Sequence, residues 1–413
     1  MNIRRARNLR PEEIIVITGS GAICPLGNSV GEIRSCLVGG KPVEDIQAGP
    51  AAYYALYHNA LRTWKTPELK TDIQPQLAKS MGKHLSLLLL SAEDAFEMAG
   101  LAASGLKAED IGFFAGMGMV DYHVDDLIPA VLKSISGDGG LDYEKFFSSA
   151  FQEIYPLWPL AMLNNVAFCQ VAIHLGLRGE NCVFTPHADA GSQAVAEGVK
   201  ILREGKARAV LAGAVSEEVS PLSLARAELN GLSGPPVFLG ECGASLVLEP
   251  LAFADQRGAR PLAAITGFGF ASEGGTGGGP TSRAVVSSMK TAISEAGLAP
   301  EDIDIVIAGS VGVSEARACE EAAADFFGAR MPVCLFPGRV FGETFAAGPI
   351  LNAIIGVLIF ESSTVPKMLM PTLSGAGRNG SGVVLPAAAE RALIMATSYE
   401  GRCASFVIEK PGQ

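Results

Sequence analysis

The stretch Ile14-Ile-Val-Ile-Thr-Gly-Ser-Gly-Ala22 decides the reading, because its core Ile17-Thr-Gly-Ser-Gly-Ala22 returns far downstream as Ile265-Thr-Gly-Phe-Gly-Phe270. The run is apolar and β-branched up to its glycines, the pattern of a buried strand ending in a glycine turn. Two more pairs follow in the same order. Ala99-Gly-Leu, with Ala108-Glu-Asp-Ile-Gly-Phe-Phe-Ala-Gly116 just after it, returns as Ala296-Gly-Leu-Ala-Pro-Glu-Asp-Ile-Asp-Ile-Val-Ile-Ala-Gly309. Gly243-Ala-Ser-Leu-Val-Leu-Glu249 returns as Cys403-Ala-Ser-Phe-Val-Ile-Glu409. One short match is chance; three collinear ones indicate a tandem duplication. The halves are expected over residues 1–253 and 260–413, joined near Ala254-Asp-Gln-Arg-Gly-Ala-Arg-Pro261. Segments 41–84 and 119–165 have no counterpart and read as insertions on the first half.

Within each half, strand and helix signals alternate. Ala92 to Ala99 has helical spacing and stops at Gly100; Ala194 to Leu202 does the same before Gly205. Ile111 to Ala115, Ala209 to Gly213 and Ile303 to Ile307 read as buried strands. The expectation is an α/β protein with a mainly parallel sheet covered by helices.

Composition narrows the function. The 413 residues carry a net charge of −11, which argues against nucleic acid as a partner. An arginine cluster at Arg4, Arg5, Arg7 and Arg10 reads as a solvated end. Mean hydropathy is +0.29, yet the longest nearly apolar run, Ile350 to Phe360, falls short of the roughly 20 residues a bilayer requires. No membrane span or signal peptide is expected. Eight cysteines without a C-x-x-C pair read as reduced thiols of a cytoplasmic protein. With five histidines and no Cys/His cluster, no metal is expected. Gly267-Phe-Gly-Phe and Gly274-Gly-Thr-Gly-Gly-Gly279 lack the spacing of a dinucleotide loop, so no cofactor is expected either.

Along nearly its whole length the chain resembles the β-ketoacyl synthases of the thiolase superfamily. Ile15-Val-Ile-Thr-Gly-Ser-Gly-Ala-Ile-Cys-Pro-Leu-Gly-Asn28 resembles their opening strand and turn. Asn165-Val-Ala-Phe-Cys-Gln-Val-Ala-Ile-His-Leu-Gly-Leu-Arg-Gly179 resembles the helix before their nucleophile, and Leu239 to Glu249 the strand that closes the first half. The resemblance implies a duplicated five-layer α-β-α-β-α fold that dimerises through its first half. It also implies chemistry by a thiolate at a helix N-terminus, where the dipole lowers the thiol pKa, and by two histidines that handle the malonyl thioester.

Carried over residue by residue, those positions are changed here. The nucleophile slot in Thr185-Pro-His-Ala-Asp-Ala-Gly191 is Ala188. The first histidine slot, in Val306-Ile-Ala-Gly-Ser-Val-Gly312, is Gly309 or Ser310; the second, in Gly342-Glu-Thr-Phe-Ala-Ala-Gly348, is Glu343. The last histidine of the chain is His187, so the second half contains none. The family's Gly-Phe-Gly-Gly loop is Ser398-Tyr-Glu-Gly401, and Ser233 to Leu239 replaces its Arg-Asp-Gly-Phe stretch.

Fold without cysteine is the mark of ketosynthase β subunits, or chain length factors, of type II polyketide and polyene synthases. The resemblance therefore implies a non-condensing chain, inactive alone, in a heterodimer with an active ketosynthase. It would meet the acyl carrier protein and acyl chain through that partner and shape the acyl tunnel. The alternative is a rebuilt acyl-thioester hydrolase or decarboxylase in which His187, Asp189 and Glu343 run acid–base chemistry. Against it, His187 and Asp189 can simply satisfy the helix start. Cys169 and Cys182 are expected in apolar surroundings that raise a thiol pKa. Met117 and Met119 are tunnel candidates, though core methionines are commoner. A homodimeric acyl or carrier binder is the third reading.

Overall fold

A computed structural model describes residues 10–39, 48–49, 62–64, 82–121, 124–217, 220–229, 238–273, 279–309, 313–370, 383–384 and 389–412. Arg4, Arg5, Arg7, Ser310, residues 233–237 and most of the expected insertion 41–84 lie outside them. The first half runs β1 (Ile15–Ile23), α1 (Lys83–Met98), β2 (Ile111–Met117), α2 (Asn164–Leu175), β3 (Asn181–Phe184), α3 (Ala190–Arg203), β4 (Ala209–Glu217) and β5 (Phe238–Pro250). The second repeats that order: β6 (Ala263–Ser272), α4 (Ser282–Glu295), β7 (Ile305–Ala308), α5 (Val313–Phe327), β8 (Val333–Leu335), α6 (Gly348–Ser362), β9 (Arg391–Thr397) and β10 (Arg402–Glu409).

The strands lie in the order 8-7-9-10-6-1-5-4-2-3, so each half has the same path outward from its own first strand. In each half the two outer pairings are parallel and the two nearest its first strand are antiparallel. The sheet is therefore mixed rather than mainly parallel as expected, because the closing strand of each half returns between the first strand and the parallel set. The halves meet edge to edge at β1 and β6, paired antiparallel over Ile15 to Ile17. One core packs α1 and α2 on the outside of the first half, and another packs α4 and α5 on the second. Between them, a central core joins α3 and α6 to strands of both halves. This is the duplicated five-layer α-β-α-β-α arrangement. The stretch Phe345–Ser362 has the length and mean hydropathy, 1.7, of a membrane span, but 83% of it is buried here as the central layer.

The opening repeat has a different meaning from the expected strand-to-turn boundary. β1 runs straight through Gly19 and Gly21, with a register shift after Ile17. A Cβ at Gly19 would stand 2.2 Å from the Ala95 carbonyl oxygen of α1, and one at Gly21 2.0 Å from that of Ser91. In β6, Gly267 and Gly269 meet Ala292 O and Ser288 O of α4 at 2.2 and 2.0 Å. Glycine is needed for close packing of strand on helix, not for turning. The Ala-Ser repeat supplies the matching clasp: Ser91 Oγ lies 3.0 Å from Ser245 Oγ, and Ser288 Oγ 2.9 Å from Ser405 Oγ. The helix stops do follow expectation, with Gly100 and Gly205 at φ 64° and 69°.

The insertion 119–165 folds as short helical turns, among them Ile128–Lys133 and Tyr143–Ser148. Its side chains are unusually bare. Thirteen of the nineteen exposed large apolar residues among those described fall between Met119 and Leu163, including Leu132 at 62% and Phe147 at 69% exposure.

Replacing Gly269 by alanine should lower stability by about 2–4 kcal/mol, since the new methyl meets rigid helix backbone. Gly31→Ala, at an exposed position of the helix Val30–Gly39 where the methyl meets nothing nearer than 3.9 Å, should be neutral or stabilising by up to about 1 kcal/mol. Denaturant titration of both variants checks the contrast.

Candidate functional site

Three pieces of backbone are jammed together at the head of α3. A Cβ at Gly116, near the end of β2, would stand 2.4 Å from Gly191 N, and one at Gly191 2.4 Å from Ala346 O. The first-half helix start is thereby seated against the second-half turn 342–348. That turn is pinned from the other side, where Gly240 N–H donates to Glu343 O at 2.9 Å. Gly342 takes φ 90°, with Gly240 N only 2.7 Å from where a Cβ would be.

Ala188 is buried at this junction and lines a pocket of about 30 Å³. Its other walls include Met119, Pro186, His187, Ser223, Arg226, Phe345, Tyr399 and Glu400. Met117, the other methionine candidate, is fully buried core. His187 Nδ1 lies 2.9 Å from Glu400 Oε1. Burial pushes the Glu400 carboxyl up, but the Ser398 hydroxyl, the residue's own backbone N–H, the His187 charge and the Tyr399 hydroxyl outweigh it and hold the group below its usual range. Arg226 Nη2 donates to Asp121 Oδ1 at 2.5 Å, and Asp121 also accepts from the Ser220 and Ser223 hydroxyls. A buried carboxylate thus fixes the guanidinium.

Asp189 faces elsewhere. It is buried in a larger cavity of about 420 Å³ with Phe184, Gln193, Phe270 and Arg402, and its Oδ2 accepts from Gln193 Nε2 at 2.6 Å with Arg402 Nε at 3.7 Å. The expectation that its side chain caps the helix is not met: Asp189 has helical backbone angles and makes no side-chain cap bond. Its carboxylate instead crosses to β10 of the other half.

Gly309 and Glu343 come together. A Cβ at Gly309 would lie 3.6 Å from Glu343 Oε1, and Glu343 is buried. Thr397 Oγ1 donates to Gly309 O at 3.1 Å. Glu320 accepts from Arg339 Nη2 at 2.8 Å, and Cys319 is buried beside Thr397. The trio His187, Asp189 and Glu343 is therefore spread over three surroundings: the pocket at Ala188, the cavity toward Arg402, and the Gly309 niche.

Cys169 and Cys182 are exposed, against the expectation of apolar surroundings. They stand on α2 and the edge strand β3, where this chain supplies no cover. Cys24, Cys36, Cys242, Cys319 and Cys403 are buried; burial pushes the Cys24 and Cys403 thiols up to about 12 and Cys242 well above its usual value. Among the described residues, no three His, Cys, Asp or Glu side chains converge as metal ligands would.

Sequence reasoning missed Glu400 and Arg226. Glu400 stood out only as a departure in the Ser398-Tyr-Glu-Gly401 loop. Nothing local in sequence ties it to His187, 213 positions earlier, and no spacing marks Arg226 at all.

A duplicated five-layer fold, with a pocket at the head of a central first-half helix under a second-half turn, is the thiolase-like architecture of ketosynthases. The chain belongs to the β-ketoacyl synthase family: the model for "Beta-ketoacyl synthase, N-terminal domain" matches residues 12–246. Among curated relatives it is 25% identical over 380 residues to 3-oxoacyl-(acyl-carrier-protein) synthase 2 of Coxiella burnetii, covering 86% of this chain and 87% of that protein. It is 25% identical over 432 residues to the tetracenomycin polyketide synthase ketoacyl synthase beta subunit of Streptomyces glaucescens, covering 96% and 98%. Among solved structures, the ishigamide ketosynthase/chain length factor superposes with a TM-score of 0.79 at 21% identity, over 97% of this chain and 99% of that one.

A carboxyl held below its usual range stabilises the fold above its ordinary value, and that contribution is lost as pH falls through the lowered one. Glu400→Gln should therefore melt below the parent at neutral pH, and the difference should vanish as pH falls through and below the ordinary glutamate value of 4.5. Melting curves from pH 7 to pH 3 measure it.

Proposed function

We propose that this chain is the non-condensing subunit of a ketosynthase pair, binding an active β-ketoacyl synthase and shaping the space its acyl chain occupies. The products would be of polyketide, polyene or fatty-acid type, with the acyl carrier protein reached through the partner. The observation that carries the reading is Ala188 at the head of α3. Condensation needs a thiolate there, and a methyl group can neither take nor pass on an acyl chain. Burial holds the Cys24, Cys242 and Cys403 thiols protonated, and no histidine follows His187 to assist decarboxylation.

Pairing is supported by surface. The insertion presents Ile128, Leu132, Tyr143, Phe147, Phe151 and Tyr155 to solvent, far more apolar side chain than a lone subunit tolerates comfortably. Nearby, Leu163 and Ile173 are exposed on and before α2. β3 ends the sheet, pairing with β2 on one side and with no strand on the other among the described residues. The similarity to a named beta subunit over 96% of the chain points the same way.

Coexpressed with the ketosynthase encoded nearest to it, the chain should copurify one to one, and malonyl-dependent elongation on carrier protein should need both proteins. A Cys→Ala change in the partner should abolish the activity. Leu132→Asp with Phe147→Asp should weaken copurification at least about tenfold while leaving the circular dichroism unchanged. Elongation by this chain alone would sink the proposal, and a stable homodimer indifferent to every ketosynthase would replace it with the homodimeric reading.

A further inference from the structure

Pairing leaves the polar pocket at Ala188 without a task. We infer that His187 and Glu400 form a water-activating dyad that hydrolyses short-chain acyl thioesters, with His187 as the catalytic base and Glu400 as its positioning residue. The inference takes the thioester from the family and nothing from the pairing.

The geometry has four parts. His187 Nδ1 is 2.9 Å from Glu400 Oε1, close enough for the carboxylate to orient the ring once the contact aligns, with Nε2 then acting as the base. Nδ1 and Glu400 Oε2 have no aligned hydrogen-bond partner, and such contacts tighten when substrate binds. The pocket they share, about 30 Å³, has room for a water or a small acyl group but not for a long chain. Arg226 lines the same pocket with its guanidinium fixed by Asp121. Ala188 offers no competing nucleophile, so water is the attacking group. The charged and titratable groups around His187 are Glu400, Arg226 and Tyr399, with Asp189 turned away toward Gln193 and Arg402.

The reaction balances with water alone. The water oxygen attacks the thioester carbonyl carbon as His187 Nε2 takes its proton. The oxyanion that forms faces Arg226. Collapse breaks the carbon–sulfur bond, and the leaving thiolate takes the proton back from His187. The products are a carboxylic acid and a thiol, and nothing is oxidised or reduced. The Glu400 carboxylate offsets the transient imidazolium charge.

The test uses the full chain and the acetyl and octanoyl thioesters of N-acetylcysteamine, following thiol release. Release from the acetyl thioester should exceed the buffer rate at least about tenfold, and the octanoyl thioester should be cleaved more slowly. His187→Ala and His187→Gln should both return the rate to that of buffer. Glu400→Gln should lower kcat about tenfold with KM within about twofold, and Glu400→Asp should recover part of the loss. Release at the buffer rate by the parent chain, or unchanged release by both His187 variants, overturns the dyad. Copurification of each variant with the ketosynthase is measured in parallel, so loss of pairing and loss of hydrolysis are told apart.

Discussion

Strand and helix backbones in direct contact set the geometry of this protein. Gly19 and Gly21 let β1 lie against α1, and Gly267 and Gly269 let β6 lie against α4, at distances no side chain permits. Ser91 with Ser245, and Ser288 with Ser405, then clasp each outer helix to the strand beside it. Because these contacts hold each outer layer tightly, the apolar faces left over point inward. α3 and α6 run through the space between the halves, which explains why Gly348–Ser362 is apolar all round and almost wholly buried.

That central pair creates the site. α3 starts where β3 ends, and α6 starts just after the turn 342–348, so both helix heads reach one end of the central layer. Gly116 and Gly191 bring β2, α3 and that turn within backbone contact, and the pocket forms between them. The first half supplies His187, Ala188 and Arg226, and the second supplies Phe345, Tyr399 and Glu400. Neither half has a complete pocket, so the pocket exists only when the two halves are folded together.

The duplication was legible because it rests on small residues that tolerate no substitute, and such residues repeat visibly. Gly19 and Gly267, or Ser245 and Ser405, mark the same contact in each half. Their cause was misread: a glycine after an apolar run suggests a turn when the helix packed across it is 70 residues away. The slots Ala188 and Gly309 follow from flanking glycines at the family's spacing, and Glu343 from a turn one residue shorter than the family's; all three are positions the resemblance implies, and a Cβ on Gly309 would lie beside Glu343. The His187–Glu400 contact was illegible, since it joins two loops from different halves and follows no periodicity. The apolar exposure of 119–163 was equally hidden, because composition does not say which apolar residues find a core.

The polarity of the pocket limits what kind of site it is. A thioester pocket relieved of all chemistry would be most stable if filled with apolar side chains, because each buried charge loses hydration that its partner only partly replaces. Instead, His187, Arg226 and Glu400 surround Ala188, while Asp189 and Glu343 lie buried within a few residues of the pocket walls. These charges pair across elements: Asp121 with Arg226, His187 with Glu400, Asp189 with Arg402. A long acyl chain would have to displace these pairs and leave charges unsatisfied, at a cost that apolar contact in so small a space does not offset. Under the proposed pairing, an acyl tunnel would therefore lie on the apolar outer face formed by the insertion, apart from the polar pocket at Ala188.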